Sequence, residues 1–444
     1  MPEVLHITTH MGGGVGKVLS GVASYTARMN TSYRHRILLL EQPEKTNFVE
    51  ICRARDVELI CGASRDELQE AVHSADIVQI EWWHHPRMAA FLANFPHVKT
   101  RLAVWAHVSG CYYPYISTSF LRIPQCFIFT SPYSLENPYW SAEEQMWARA
   151  HCSVVYSSGG FEAEASKQSE RADGRFVVGY VGTQSFAKLH HDFVGYCQSV
   201  SHIPGIEFVL VGDMTNREQI LREARTAGID QKFHFIDYVS DVNAELAQMD
   251  VFGYLLNPHH FGTTENALLE AMAAGLPVVA RNQCTEKYLI AHGRTGMLVH
   301  DIEEYRQTME WLFAHPKERN HLGRAAREAV LRDFSAARTV EHLHAVYAEM
   351  MTKPPRTYDF QKTLGQHPYE YFLNGLPPQL RQIFEADTSV GDDALPTILK
   401  EHSKSSLPHF CRIFDGDKHL KDWQHKFCSA GKEKMNKRFS REMQ

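Results

Sequence analysis

The chain lacks several features that would define its class at once. Its nine cysteines are odd in number and include no C-x-x-C pair, which is typical of a reducing compartment rather than a disulfide framework. No run approaches the roughly 18 apolar residues of a membrane-spanning helix. Residues 1–4 lead directly into a strand, without a secretory signal. We therefore expect a soluble, cytoplasmic protein.

The charge and size of the chain set further limits. Its formal net charge is −6, and this acidic balance argues against bulk electrostatic binding to nucleic acid. Hydrophobic residues make up 44% of the chain, as in ordinary globular proteins. A chain of 444 residues is too long for one ordinary core, so we expect two or three domains.

Common catalytic and metal-binding motifs are also missing. The sequence has neither an H-E-x-x-H helix nor a G-x-S-x-G elbow. Its histidine pairs at 84–85, 190–191 and 259–260 are adjacent, which is poor spacing for chelating one ion. Residues 415–417 imitate a D-x-D motif but are better interpreted as a turn. We therefore expect no metal site.

What the chain does contain is a repeated alternation of apolar strands and helical patterns. The alternation is typical of parallel α/β sheets and occurs twice, on either side of a polar linker at 158–174. The expected strands of the first series are Val4–Thr9, Arg36–Leu40, Val57–Cys61, Ile77–Trp82, Leu102–Val108 and Phe127–Thr130. Those of the second series are Phe176–Gly182, Glu207–Val211, Phe233–Ile236, Val251–Leu256, Pro277–Ala280 and Met297–Val299. We expect two doubly wound domains with ligands at the carboxyl ends of their strands.

The last part of the chain breaks this alternation. Ser335 is a suitable N-cap for a helix that continues to Thr352, shortly before two prolines. Residues 354–444 carry short apolar clusters and many His and Lys residues, which predict a mostly helical extension on the outside of the protein. The basic stretch from Lys432 to Arg441 has the composition of a disordered tail.

The most informative stretch is Glu265–Ala280. Its apolar residues form one stripe of a helix, which ends at Gly275 before a buried strand. Into this apolar helix the sequence places Glu270, a carboxylate that paired sugar hydroxyls could satisfy. Residues 262–264, just before the helix, offer N–H groups suited to a phosphate. The pattern indicates a nucleotide pocket, although an ordinary helix with a solvated Glu would give the same local sequence.

This stretch, followed by T-E-K-Y-L-I-A-H-G-R-T-G-M-L-V at 285–299, resembles the donor-binding half of the retaining GT-B glycosyltransferases of family 4 (glycosyl transferases group 1). The resemblance implies an α/β GT-B fold of two doubly wound Rossmann-like domains facing a cleft. Residues 1–165 would form the acceptor-side domain, and residues 166–353 the donor domain with a crossing helix at 335–352. Residues 354–444 would be a helical addition that the resemblance does not cover.

Two turns match positions near the donor diphosphate in this family. Gly13 and Gly14 match the family's GG turn after the first strand, where neither a P-loop nor a G-x-G-x-x-G motif is complete. Lys188 stands at the position of the family's diphosphate-binding lysine, whereas Thr183 replaces the usual Arg. One cation together with helix-terminal N–H groups can still stabilise a diphosphate. A tight turn and a surface lysine are the structural alternatives.

A second departure concerns the family's paired glutamates, which lie eight positions apart. Glu270 matches the second, which holds the ribose, but Gly262 stands at the position of the first, which binds the transferred sugar. His259, His260 and Glu265 lie near enough to substitute, and spacing does not choose among them. The predicted donor-binding residues are Gly13, Gly14, Thr183, Thr264, Glu265, Asn266 and Glu270.

Two further strand ends carry candidate site residues. His107 matches a position where the family often has a His beside the donor sugar, and we predict that it acts in catalysis with Lys188. Glu81, Trp82 and His84 close the preceding strand and suit acceptor binding, because aromatic faces stack well on sugars. For the tryptophan, packing in the core is an equal alternative.

These expectations combine into a retaining, metal-independent glycosyltransferase. It would move a sugar from a nucleoside-diphosphate sugar, with a UDP-sugar favoured, to a hydroxyl acceptor in glycan or glycoconjugate synthesis. We expect no cofactor, with Lys188 and N–H groups stabilising the leaving diphosphate while it takes the acceptor proton.

Other partners and other functions are compatible with the same sequence. The acceptor could be a glycan, a lipid-linked molecule or a small molecule, and the aromatic segment 108–135 could contact the inner face of a membrane. A homo-oligomer is also compatible. The alternatives to a transferase are a non-catalytic nucleotide-sugar or glycan-binding protein and a nucleotide-sugar epimerase of the same architecture.

Overall fold

The computed structural model describes residues 1–29, 31–43, 46–161, 173–239, 241–386, 399 and 404–428. These residues divide into two units, one made of residues 1–157 with those from 340 onward, the other of residues 158–339. Most of the expected linker and the whole basic tail lie outside the described residues. In the described part of the chain, no helix is both long and apolar enough to cross a membrane.

The first unit is built on a seven-stranded parallel sheet with the order β3-β2-β1-β4-β5-β6-β7. Its strands are β1 Glu3–Thr8, β2 Arg34–Leu39, β3 Glu58–Cys61, β4 Ile77–Trp82, β5 Leu102–Ala106, β6 Cys126–Phe129 and β7 Cys152–Val154. Its helices before residue 157 are α1 Gly13–Met29, α2 Asn47–Arg53, α3 Arg65–Ser74, α4 Pro86–Ala93, α5 Thr118–Leu121 and α6 Ala142–His151, with a 3₁₀ turn at Pro132–Glu136. The inner strands are buried on both faces, as parallel sheets between helices require.

The second unit holds a six-stranded parallel sheet with the order β10-β9-β8-β11-β12-β13. Its strands are β8 Phe176–Val181, β9 Ile206–Val211, β10 Phe233–Ile236, β11 Val251–Tyr254, β12 Val278–Arg281 and β13 Met297–Val299. Its helices are α7 Phe193–Ser199, α8 Arg217–Thr226, α9 Val242–Leu246, α10 Asn266–Ala273, α11 Glu286–Leu289, α12 Ile302–Ala314 and α13 Pro316–Asp333, with a 3₁₀ turn at Asp230–Lys232. The sheet again reverses its strand order once, beside its first strand.

The C-terminal part of the chain is helical. Its described helices are α14 Ala336–Met351, α15 Gln361–Leu364, α16 Pro368–Asn374, α17 Pro378–Glu385, α18 Leu407–Ile413 and α19 Lys418–Cys428. The helix α14 begins at the end of the second unit, and from Val340 onward it packs with the first. The sequence-based division had assigned residues 335–352 to the donor domain, so the structural boundary lies earlier. The turn expected at 415–417 is present, where Asp417 accepts the Leu420 N–H at 3.0 Å.

The prediction of two doubly wound α/β domains and a helical extension is confirmed. Each of the twelve expected strands is present, with ends shifted by at most a few residues. The short strand β7 has no counterpart in the prediction, because its three residues do not stand out as an apolar run. The aromatic segment 108–135 is mostly buried rather than exposed to a surface, as shown by Tyr113 and Phe120 at 3% exposure.

The extension, defined as the described residues from 355 to 428, packs directly on the loop that follows β4. Tyr115 N–H donates to the Gly375 carbonyl at 2.7 Å, and a Cβ at Gly375 would overlap the His84 ring. Only a glycine therefore allows α16 to end against His84. A second contact is made by Tyr358 of the extension. Its hydroxyl accepts from the Leu102 N–H and donates to the Thr100 carbonyl, each at 3.1 Å.

A cluster of imidazoles forms where the extension covers residues 1–157 of the first unit. The His85 and His409 rings lie 4.7 Å apart, and Lys404 Nζ is 3.1 Å from His10 Nε2. Burial, followed by nearby positive groups, lowers the pKa of His10 to about 4, of His409 to about 4 and of His85 to about 2. Burial likewise lowers the pKa of His84 to about 3. These histidines are therefore neutral at pH 7 in the folded chain.

We expect the first unit to lose stability as the pH falls below 6.5. Unfolded histidines gain protons there, whereas the buried imidazoles stay neutral until about pH 4 or lower. Each fully buried group contributes at most about 1.4 kcal/mol per pH unit in that window. Denaturant unfolding of His409→Gln between pH 7.5 and 4.5 should show a shallower pH dependence than the native chain. The exposed His97→Gln should match the native chain. A flat native profile would contradict the expectation.

Candidate functional site

The point where strand order reverses lies between β8 and β11 in the second unit. Loops that leave the carboxyl ends of two such strands diverge and open a crevice, which is where doubly wound sheets bind ligands. The loop after β8 carries Thr183 and Lys188, and the loop after β11 leads to Glu265 and helix α10. Residues predicted from two separate sequence motifs therefore converge at one sheet edge.

The direct contact between these loops is an ion pair. Lys188 Nζ lies 3.0 Å from Glu265 Oε2, with the lysine side chain 18% and the carboxylate 3% exposed. Tyr254, the last residue of β11, donates its hydroxyl to the same carboxylate oxygen. Its ring also lies under the ammonium group, whose nitrogen is 5.7 Å from the ring centroid. Burial raises the pKa of Glu265, but Lys188 and His260 outweigh burial and hold this pKa below its usual value. The carboxylate is therefore ionised.

Behind Glu265 lies a second buried carboxylate. His260 stands between them, with Nδ1 3.6 Å from Glu265 Oε1 and Nε2 3.3 Å from Glu286 Oε1. Burial lowers the pKa of His260, but the two carboxylates outweigh burial and raise this pKa well above its ordinary value. Two cations and two anions thus alternate along Lys188, Glu265, His260 and Glu286, which limits the cost of burying each charge.

One group in the described part of the chain has the geometry to hold a metal ion. The ligand atoms of His260, Cys284 and Glu286 all lie within 4.8 Å of one another and are buried. Histidine, thiolate and carboxylate are common zinc ligands. The expectation of no metal site therefore missed a candidate trio, because its members are separated by up to 26 positions and match no motif.

Helix α10 carries the remaining donor-site predictions. Asn266 and Glu270 lie four residues apart and share one face of the helix, where both are half-buried. The Asn266 Oδ1 atom is buried and has no hydrogen-bond partner among the described residues. Thr264 precedes the helix and is half-buried, while Thr183 is exposed on the facing loop. Buried Gln184, beside Thr183, also has an unsatisfied amide among the described residues.

The glycine at position 262 has a structural role. A Cβ atom built there would overlap Glu265 Oε1 and come within 2.9 Å of His260 Nδ1. The Glu265 carboxylate therefore occupies the space that a side chain at position 262 would need. Of the three candidates to replace a glutamate at 262, only Glu265 reaches Lys188, while His259 is exposed.

In the first unit, strand order reverses between β1 and β4. Gly13 and Gly14 begin α1 after β1, and both are exposed. Gly13 has a φ of +63°, with no atom within 4 Å of the position of a Cβ, so it has both the conformation and the open space of a close-approach glycine. Because Gly13 begins α1, the first N–H groups of this helix lie next to it and have no partner within the helix.

A hydrogen-bonded pair lies beside this reversal. His107, just after β5, bonds through Nε2 to Glu81 Oε2 at 2.6 Å and through Nδ1 to Ser157 Oγ at 3.0 Å. Glu81 is fully buried and also accepts from His6 Nδ1 at 2.7 Å. Burial raises the pKa of Glu81, but the hydrogen bonds from His107 and His6 outweigh burial and lower this pKa to about 2. The buried carboxylate is ionised and fixes the ring of His107.

The other predicted acceptor residues lie in packed surroundings. Trp82 is 3% exposed and packs on Phe120, and His84 is 2% exposed beneath Phe410 of the extension. Glu81 faces inward to the two histidines rather than outward. The structure thus gives all three a packing or hydrogen-bonding role, and their contact with an acceptor stays a prediction.

Sequence reasoning missed the polar partners of this site. His6 and Gln79 stand between apolar neighbours in their strands, His35 stands between Arg34 and Arg36, and all three are buried. For His6 and Gln79 this placement was the available signal, because a polar residue on a covered strand face needs a partner. Tyr254 was likewise hidden at the end of an apolar run.

Part of the chain matches known proteins in sequence. Residues 161–329 match the family model described as glycosyl transferases group 1. The lipopolysaccharide core biosynthesis glycosyltransferase LpsE of Rhizobium meliloti is 25% identical over 160 residues, which is 36% of this chain and 45% of that protein. A GDP-mannose-dependent alpha-mannosyltransferase of Mycolicibacterium smegmatis is 30% identical over 160 residues, or 36% of this chain and 40% of that protein. The chain thus spans about half or less of the length of these relatives.

Solved structures share the fold over a larger part of the chain. The structure of Anabaena Alr3699/HepE in complex with UDP and glucose aligns with a TM-score of 0.61, covering 79% of this chain and 100% of that one at 15% identity. The apo lipopolysaccharide outer core galactosyltransferase WaaB aligns with a TM-score of 0.60, covering 78% and 99% at 15% identity. Residues 161–329 are thus similar to the glycosyl transferases group 1 family, within a chain that has the GT-B fold.

Proposed function

We propose that this protein is a retaining, metal-independent glycosyltransferase that moves a sugar from a nucleoside-diphosphate sugar to a hydroxyl acceptor. The observation that carries the proposal is the Lys188–Glu265 ion pair at the strand-order reversal of the second unit. It sets a cation and an ionised carboxylate side by side in the crevice. A diphosphate needs the first group and sugar hydroxyls suit the second.

The donor would engage the two sides of this crevice. Lys188 would move from Glu265 to the diphosphate, because a doubly charged phosphate group is the stronger partner for an ammonium ion. Glu265, released from the lysine, would accept hydrogen bonds from the transferred sugar, as the family's first glutamate does. Asn266 and Glu270 lie further along the same helix, and the resemblance assigns Glu270 to the ribose diol.

The chemistry would be front-face displacement. The bond from the anomeric carbon to the diphosphate breaks, the acceptor oxygen bonds to the same face of that carbon, and the leaving diphosphate takes the acceptor proton. Lys188 stabilises the negative charge that develops on the leaving group. The resemblance assigns His107 of the first unit to the donor sugar, and Glu81 would hold its ring in place.

The donor and acceptor classes are also part of the proposal. We propose a UDP-sugar as the donor, which is supported by the fold shared with a protein solved with UDP and glucose. The reaction would require no cofactor. The acceptor would be a glycan, a lipid-linked molecule or a small hydroxyl compound. A donor panel separates this from a GDP-sugar, which the mannosyltransferase relative uses.

A nucleotide-sugar panel, with free diphosphate measured with and without acceptors, tests the proposal. Lys188→Ala should lower turnover by about tenfold to a thousandfold at saturating donor, because it removes the positive charge that stabilises the leaving diphosphate. The exposed Lys317→Ala is the matched control and should keep native turnover. Near-native turnover in Lys188→Ala would remove this lysine from the mechanism, and donor binding without any diphosphate release would favour a binding protein.

Gly262→Ala tests the role of Glu265. The added Cβ must displace the Glu265 carboxylate, so we expect sugar transfer to fall by at least about tenfold while affinity for the free nucleoside diphosphate changes little. Gly21→Ala, in α1 with nothing within 4 Å of its Cβ position, is the control. Equal kinetics for the Gly262 variant and the native chain would show that Glu265 does not contact the sugar.

Chelation should leave transfer intact, since Lys188 rather than a divalent ion would neutralise the diphosphate. The test is turnover after treatment with EDTA, then with added zinc, magnesium or manganese. If activity is lost and one of these ions restores it, the reaction depends on a metal, and His260, Cys284 and Glu286 become its candidate ligands.

A further inference from the structure

A diagonal stripe of polar side chains crosses the sheet of the first unit. Glu81 and Gln79 lie two residues apart on β4, so they point to the same face. His6 of β1 pairs in register with Gln79, and Val4 pairs with His35 of β2. From Glu81 to His6, and from His6 to His35, each step to the next strand moves two residues towards the amino ends of the strands. The path stays on one face of the sheet.

The stripe continues at both ends. His107 lies two positions beyond the β5 residue that pairs with Glu81, and helix α14 supplies His344 over β2. From His107 to His35 the stripe descends six residue positions, or roughly 20 Å at about 3.3 Å per residue. We call the following five residues the histidine relay: His107, Glu81, His6, His35 and His344.

Hydrogen bonds join the members of the relay without a gap. His107 Nε2 lies 2.6 Å from Glu81 Oε2, and Glu81 Oε1 lies 2.7 Å from His6 Nδ1. His6 Nε2 lies 2.7 Å from His35 Nδ1, and His35 Nε2 lies 3.2 Å from His344 Nε2. The ring of His35 is stacked with those of His6 and His344, at 5.0 and 5.5 Å between ring centroids.

The ionised carboxylate determines where the protons are. A carboxylate only accepts, so His6 must donate from Nδ1 and, when neutral, accept at Nε2. His35 then donates from Nδ1 and accepts at Nε2, which requires His344 to donate from Nε2. All three imidazoles therefore point their N–H groups towards Glu81. Gln79 strengthens the arrangement, since its amide donates to Glu81 at 2.8 Å and accepts from Tyr347 OH at 2.7 Å.

We propose that His344, His35 and His6 conduct protons between solvent beside α14 and the buried Glu81–His107 pair. The ring of His344 is partly exposed, and a pocket of about 90 Å³, lined in part by Tyr33, His35 and Asp56, adjoins this end. The use of the histidine relay in catalysis rests on the proposed transferase function, which assigns His107 to the donor sugar. His35 and His344 are accordingly positioning residues that act through His107.

The transfer step balances with a solvent proton as the only co-reactant. A proton adds to His344 Nδ1, and the Nε2–H bond of His344 breaks as one forms at His35 Nε2. The Nδ1–H bond of His35 then breaks as one forms at His6 Nε2. The result is an imidazolium on His6 beside the Glu81 carboxylate, and the reverse steps return the proton to solvent.

The relay controls His107 because both histidines share one carboxylate. A buried carboxylate can compensate one imidazolium but not two. When the proton resides on His6, the Glu81 charge is already balanced and His107 is kept neutral. When it leaves through His344, Glu81 can support a proton on His107. The charge on His107, beside the proposed donor sugar, thus depends on proton exchange at His344, the other end of the stripe.

Burial keeps His35, His344 and the tyrosines and cysteine packed around them uncharged at neutral pH. Burial, then His6 and His344, lowers the pKa of His35 well below its usual value, and burial lowers that of His344 to about 4. Burial raises the pKa of Tyr33, Tyr347 and Cys126, which therefore stay protonated. Arg34 lines the adjoining pocket and pairs with Glu58 at 2.9 Å.

Ring ¹⁵N NMR of the full-length protein tests the relay without measuring activity. At pH 7.5 we expect the Nδ1–H tautomer at His6 and His35 and the Nε2–H tautomer at His344, with assignments from single His→Gln variants. The opposite tautomer at His35 while His6 is neutral, or a charged His35 at this pH, would overturn the proposal.

Turnover of three variants tests its use in catalysis. His35→Gln keeps a side chain that can donate and accept but cannot carry an extra proton, so turnover at pH 7.5 should fall about tenfold with the donor KM within about twofold. His35→Ala should be as slow, and added imidazole should restore it by entering the space beside the pocket. His97→Gln is the exposed control.

The outcomes separate the relay from the function on which it rests. If His35→Gln turns over like the native chain while His35→Ala is slow, the role of His35 is structural and the relay is overturned. If the native chain transfers no sugar at all, the proposed function fails, and the tautomers still decide whether the relay exists.

Discussion

Each unit of this protein buries an ionised carboxylate beside the point where its strand order reverses. In the first unit this is Glu81, and in the second it is Glu265. A buried carboxylate is costly unless donors surround it, so each one fixes the groups around it. Glu81 orders His6, Gln79 and His107, and Glu265 orders Lys188 and Tyr254. The positions of both candidate sites follow from this requirement.

The two carboxylates differ in how their charge is compensated. Glu81 is fully buried and accepts hydrogen bonds from two histidines and an amide, an arrangement that suits the movement of a proton. Glu265 faces an ammonium group that is 18% exposed and can exchange partners when a ligand arrives. One environment favours proton transfer and the other favours ion exchange, although the sheets that build them are alike.

The sequence predicted the fold well because parallel strands buried on both faces read as continuous apolar runs. Most of the candidate residues also follow strands that flank the two reversals, although their contact with a ligand stays a prediction. It did not predict which residue replaces the glutamate at Gly262, because that depends on where the Glu265 side chain turns in space. His35 and His344 escaped for a similar reason, as they are 309 positions apart and meet only through the packing of α14 on β2.

The way the extension packs on residues 1–157 limits how this chain can be recombined with other proteins of the GT-B fold. The two compact units are the natural pieces to exchange between proteins of this fold. Here the loop after β4 adopts a left-handed conformation at His84, with φ of 59°, and it is covered by α16 at Gly375. A chimera that took residues 1–157 without residues 355–428 would leave Trp83, His84 and Tyr113 bare. The transplantable module is therefore discontinuous in sequence, with its last part encoded nearly 200 residues after its first part ends.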